Sequence, residues 1–135
     1  MRVLDILLFM GELGARYKRR DIPLIENYFS QMISDGRVAI IYRNSVPQAI
    51  LTFSICNNMV KYYQKGMWDY VPHNPLGTIV YVEKLACRYW DKNMRQEFQE
   101  LITERYPNFE RAIWHRSGRN RDRKVEYQRR LQCMR

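Results

Sequence analysis

Cysteine is too scarce and too scattered here for a disulfide scaffold or a zinc knuckle. Cys56, Cys87 and Cys133 are odd in number and form no CxxC pair. They read as small apolar residues kept reduced, which points to the cytoplasm. Histidine is scarcer still: His73 and His115 stand alone, so no metal site is expected. Long hydrophobic runs are missing too. The apolar stretch Val3 to Met10 holds Asp5 and falls short of the ~20 residues a membrane-crossing helix needs. Gly11-Glu12-Leu13-Gly14 after it makes a poor cleavage site for a signal peptide. A buried helix is the expectation, with no transmembrane segment. With no repeat, low-complexity stretch or linker, residues 1–135 are expected to form one domain.

Acid is the other shortage. Lys and Arg number 23 against 14 Asp and Glu, for a net charge of +9. The surplus is uneven: 111–135 holds nine Lys/Arg against Asp122 and Glu126. That tail carries +7 and leaves +2 for the rest. A second basic cluster is Arg16-Tyr17-Lys18-Arg19-Arg20. Such a field draws an acidic partner, which could be nucleic acid, an anionic membrane or an acidic protein. Arg116, Arg119, Arg121, Arg123, Lys124, Arg129 and Arg130 are the expected contacts. The plainer alternative is a solvated strand face.

What is present reads as alternating elements. Val3 to Leu13 is apolar on most faces and is expected as a well-buried helix. Asp21 is placed to cap a second helix, with Pro23 in its first turn. Its stripe is Leu24, Ile25, Tyr28, Phe29, Met32 and Ile33, closed by Asp35-Gly36. Strands are expected over Val38 to Tyr42 and Ala49 to Ile55, joined by the loop Arg43 to Pro47. A weaker one is expected at Val60 to Tyr63. Thr78 to Ala86 reads as a central strand, with Ile79, Tyr81, Glu83 and Leu85 on one face. Asp91 is the expected cap of a helix with the stripe Trp90, Met94, Phe98, Leu101 and Ile102, stopped by Pro107. Strands at Phe109 to Trp114 and Lys124 to Leu131 follow, around a turn at Ser117 to Asn120. Strand, helix and returning strand make a βαβ crossover. The fold class is therefore α/β (α+β): a mixed, mostly antiparallel central sheet flanked by helices, arranged like the GNAT acyltransferase fold.

From about Lys18 to Arg130 the ordered pattern resembles the toxin-activating lysine acyltransferases. The first half is carried by Lys18-Arg19-Arg20-Asp21-Ile22-Pro23, then Arg37 to Asn44 and Val46-Pro47-Gln48-Ala49. The second is carried by Tyr81-Val82-Glu83-Lys84-Leu85-Ala86, then Tyr106-Pro107-Asn108-Phe109-Glu110-Arg111-Ala112-Ile113 and Lys124-Val125-Glu126-Tyr127. The resemblance implies transfer of a fatty acyl group from acyl carrier protein, or another acyl thioester, to a lysine amine. No tightly bound cofactor is implied. Glu83 stands where that family has its aspartate. Lys18 and Arg19 stand where it has its histidine, and an arginine cannot serve as a base near neutral pH. Cys87-Arg88-Tyr89-Trp90-Asp91 also lacks the glycine-rich loop that cradles a coenzyme A pyrophosphate elsewhere in the superfamily.

The expected catalytic set is therefore Glu83 as base, with His115 or Lys18 in place of the lost histidine; His73 is a further option. Arg111, Arg19, Tyr81 and Ser54 are the expected substrate-side residues, Arg111 steadying the oxyanion. Each has a bland alternative. Glu83 could be a buried carboxylate paired with an arginine such as Arg111, and Ser54 or Cys56 could be strand packing. The competing function is a non-catalytic basic protein, of viral or mobile-element type, that keeps the fold and binds nucleic acid or a virion partner. A homodimer is left open.

Overall fold

The computed structural model describes residues 2–14, 18–57, 73–116 and 123–128, with backbone alone for 114–116 and 123–128. Helix α1 (Val3–Glu12) is followed by a 3-10 turn (Arg19–Asp21) that runs into α2 (Ile22–Ser34). Strands β1 (Val38–Arg43), β2 (Val46–Cys56) and β3 (Ile79–Cys87) come next. Then follow α3 (Met94–Arg105), β4 (Arg111–Arg116) and β5 (Arg123–Gln128). The five strands lie in one sheet in chain order. β1–β2, β2–β3 and β4–β5 pair antiparallel, and β3–β4 pair parallel across the α3 crossover. This is the mixed, mostly antiparallel sheet with a βαβ unit that the pattern calls for. Among the described residues no helix is long and apolar enough to cross a membrane.

Local chemistry fixes the corners. α2 ends on Gly36 at φ 69°. There the Gly36 N–H donates to Ile33 C=O at 3.1 Å and the Arg37 N–H to Met32 C=O at 2.8 Å. This pair of bonds closes a helix on a left-handed glycine, and it aims Arg37 at the sheet. Between β1 and β2 the loop is tighter than the sequence suggests. Asn44 and Ser45 sit at φ 52° and 64°, a two-residue turn of the kind that matches strand twist. β2 therefore starts at Val46 rather than Ala49. Asp21 holds the cap position of α2 but its side chain makes no capping bond. α3 is capped at Asn93, not Asp91, although Asp91 Oδ1 accepts the Asn93 N–H at 2.9 Å.

Both faces of the sheet are covered. On one, Met94, Phe98 and Ile102 of α3 pack on Ala39, Ile41, Ala49, Leu51, Phe53, Ile55 and Val80. On the other, Ile6 and Phe9 of α1 and Ile25, Tyr28, Phe29 and Met32 of α2 pack on Ile50, with Val38, Ile40 and Ala86 beside it. Each fully buried large apolar side chain contributes about 1.5–3 kcal/mol. α1 is less buried than its composition implies, because Leu4 and Leu8 lie exposed on its outer side. The strand expected at Val60 to Tyr63 and the turn at Ser117 to Asn120 lie outside the described residues.

Candidate functional site at the parting of two parallel strands

β3 and β4 share a short ladder. Among the described residues its rungs are Ile79–Arg111, Val80–Ala112 and Tyr81–Ile113. Among the described residues, β3 beyond Tyr81 runs on to Cys87 paired with β2 alone, and β4 beyond Ile113 runs on to Arg116 paired with β5 alone. The parallel strands thus part toward their carboxyl ends, the end at which open sheets with crossovers hold ligands.

A bulge sits at the point of parting. On β2, Thr52 faces Lys84 but Phe53 faces Val82, so Glu83 is the extra residue. A bulge re-aims side chains and breaks the alternation of a strand. Its effect is to bring two consecutive residues to the α2 side. Tyr28 Oη donates to Glu83 Oε1 at 3.0 Å, and Lys84 Nζ lies 5.4 Å over the Tyr28 ring. Leu85 and Cys87 consequently move to the side of Val80 and Val82, contrary to the plain alternation, which joins Leu85 to Glu83. Leu85 remains 48% exposed on the stretch beyond the ladder.

Glu83 is an anchored carboxylate. Arg37 Nη2 donates to its Oε2 at 2.9 Å, the Ser54 hydroxyl donates to the same oxygen, and Tyr28 holds the other. The Glu83 side chain is 5% exposed and that of Arg37 0%. Arg37 is spent in turn: Nε donates to Phe53 C=O at 2.8 Å, Nη2 to Ser54, and Nη1 to Asp35 at 3.3 Å. The hub joins the α2–β1 corner, β2 and the bulge of β3. Its arginine is Arg37, not Arg111, which stands opposite Ile79 at the far end of the ladder. With hydroxyl and guanidinium donors on both oxygens, Glu83 acts as an anchor rather than the free base that the sequence suggests. Burial, and after it the Glu83 charge, hold the Tyr28 hydroxyl far above its ordinary range, so it stays a donor. Burial holds the Lys84 amine below the usual lysine range, opposed by Glu83.

The remaining expected residues scatter. Lys18 and Arg19 are exposed ahead of α2, and neither bonds Glu83. Tyr81 is half-buried on the last rung, against Cys56, Ile79 and Ile113. Ser54 is fully buried inside the hub and Cys56 is buried in the strand. His115 and Arg116 stand opposite Lys124 and Arg123 in the β4–β5 ladder. Arg119, Arg121, Arg129 and Arg130 lie outside the described residues. His73 closes a different corner. Its Nδ1 accepts the Ile55 N–H at 3.0 Å, so the ring proton sits on Nε2, 3.1 Å from Tyr106 Oη. Tyr106 then donates to Asp35 C=O at 3.2 Å. Sequence reasoning passed over Arg37 and Lys84. The only signal for Arg37 is an arginine wedged between a helix-closing glycine and an apolar strand.

No family model, curated protein or solved structure matches the chain.

Proposed function

We propose that the chain is an acyltransferase of the GNAT-like, lysine-acylating kind, taking its acyl group from an acyl carrier protein or another acyl thioester. The carrying observation is the parting of β3 and β4 at the Glu83 bulge. It opens the sheet at the carboxyl ends of two parallel strands, where an extended thioester arm can lie against β3. In the reaction a lysine amine attacks the thioester carbonyl. The N–C bond forms, the C–S bond breaks, and the carrier thiol leaves. Glu83, clamped by Arg37, Ser54 and Tyr28, is a positioning residue that holds the bulge open. Lys84, as the neutral amine, takes the proton of the attacking nitrogen and returns it to the departing thiolate, so that the carrier is released as its thiol. It lies with Glu83 on the Tyr28 side of β3, and burial holds its pKa below the usual lysine range, which favours the neutral form a base needs.

The test is incubation with acyl carrier protein loaded with chains of several lengths and a lysine peptide, read by the mass of the acylated peptide. Transfer is expected, and Lys84→Met is expected to lower kcat by about 100-fold with donor affinity kept, the usual scale for general base catalysis. No transfer with any chain length would contradict the reading.

One observation favours the second reading, a non-catalytic basic protein of the same fold: the acid at the family's catalytic position is sealed in a buried ion pair. That reading expects polyanion affinity and no transfer.

A further inference from the structure

Residues 73–78 return the chain to the sheet and take over where β1 stops. On the β1 side of β2 the Phe53 N–H donates to Arg37 C=O at 3.1 Å. Backbone groups alternate along a strand, so Ile55, two residues on, turns its N–H the same way. There the strap meets it: the Ile55 N–H donates to His73 Nδ1 at 3.0 Å, and the Asn74 N–H donates to Ile55 C=O at 2.8 Å. Both backbone groups that β1 leaves open at Ile55 are thus covered, as an exposed strand edge requires. The strap is braced within itself, since Asn74 Oδ1 accepts the Leu76 N–H at 3.0 Å and Asn74 C=O accepts the Gly77 N–H at 2.9 Å.

This docking works in one protonation state only. Nδ1 must offer a lone pair to the Ile55 N–H, while Nε2 carries the proton, 3.1 Å from Tyr106 Oη. In the imidazolium both nitrogens are donors. A proton on Nδ1 would face the Ile55 N–H, donor against donor. Ile55 has no exposed surface, so its N–H would be stranded without water, which disfavours the docked state. Among the described residues the charged and titratable groups around the ring come from two elements. The α2–β1 corner supplies Asp35 and Arg37, and the end of α3 supplies Tyr106 and Arg105, whose guanidinium lies against Gly36. β2 supplies no charge there. Burial, then Arg37, oppose protonation of His73, and Asp35 favours it. The docked strap therefore binds a proton less readily than the free one. Docking is complete above about pH 6.5 and is lost as pH falls below it.

We propose that residues 73–78 form an acid-released strap, in which protonation of His73 frees the Ile55 N–H and C=O of β2 while the sheet and both helical layers stay folded. The inference is independent of acyl transfer.

Amide-resolved hydrogen exchange by NMR from pH 7.5 to 5.5 tests it. Corrected for the intrinsic pH dependence of exchange, protection of the Ile55 and Asn74 amides should fall below pH 6.5. The fall should approach about tenfold per pH unit, the limit for release coupled to one proton. The Phe53 amide, bonded to Arg37 C=O, and the Leu51 amide in the β1–β2 ladder should keep their protection. His73→Gln does not titrate and should remove the pH dependence, whether its strap is docked or free. Wild-type protection at Ile55 that does not change with pH overturns the proposal without any variant. An equal fall in His73→Gln does so too, as does a fall shared by Phe53 and Leu51, which would mean that the whole domain opens.

Discussion

Arg37 has no exposed surface, and its acceptors include Phe53 C=O, Ser54, Glu83 and Asp35. A charge so placed is tolerated only while its partner is ionised. Glu83→Gln removes the closest anion, and breaking a buried pair costs about 3 kcal/mol or more. Urea denaturation should show that loss, whereas Arg37→Met with Glu83→Met together should be far milder, because apolar replacements leave no orphaned charge. Equal stability of wild type and Glu83→Gln would mean that the pair is not the anchor described. A second residue-scale test is Gly77. A Cβ there would fall 2.6 Å from the Cys56 carbonyl oxygen, a backbone atom. Gly77→Ala should therefore destabilise by about 1–3 kcal/mol, as overpacking does, and a neutral result would mean that the 73–78 turn packs less closely. Residues of this kind are where the sequence was least legible. The sequence singles out Glu83 as a carboxylate on a central strand but not the arginine it pairs with, since a buried ion pair depends on chain segments 46 residues apart.

At the scale of elements the periodicity was readable and the interruptions were not. Met94, Phe98 and Ile102 repeat every four residues and do bury α3. Val38 to Tyr42 has a run of β-branched and aromatic residues that fits no other element, and β1 is there. The bulge in β3 has no such mark. No glycine announces it, and the alternation of Tyr81-Val82-Glu83-Lys84-Leu85 looks regular until pairing with β2 assigns the extra residue. One element carries a pH signature. His73 ties the end of β2 to Tyr106 just beyond α3, and burial, followed by the Arg37 charge, lowers its pKa from 6.5 against the opposing pull of Asp35. A lowered histidine pKa means that the unfolded chain binds the proton more readily. The contribution is therefore complete above about pH 6.5 and fades as pH falls below it. Thermal midpoints measured from pH 7.5 to 5.5 should drop in wild type and drop less in His73→Gln; parallel curves would remove His73 from that role.

For the molecule as a whole, charge was legible at once and topology largely so. Meander, crossover and return follow from the order of elements, and the three layers follow from their apolar faces. A net charge of +9 predicts that association with any polyanion weakens steeply with salt; a flat salt titration would show that the basic tail is not engaged. The parting of β3 from β4 could not be read from sequence, because it is the absence of rungs between strands that are individually good. Hydrogen exchange resolved along the chain tests that feature most directly, comparing the free protein with the protein saturated by acyl-loaded carrier protein. The amides of Val82–Cys87 should exchange more slowly with the donor bound, and those of α1 should not change. Protection confined to the helices, with Val82–Cys87 unaltered, would contradict a donor cleft at the parting of the two strands.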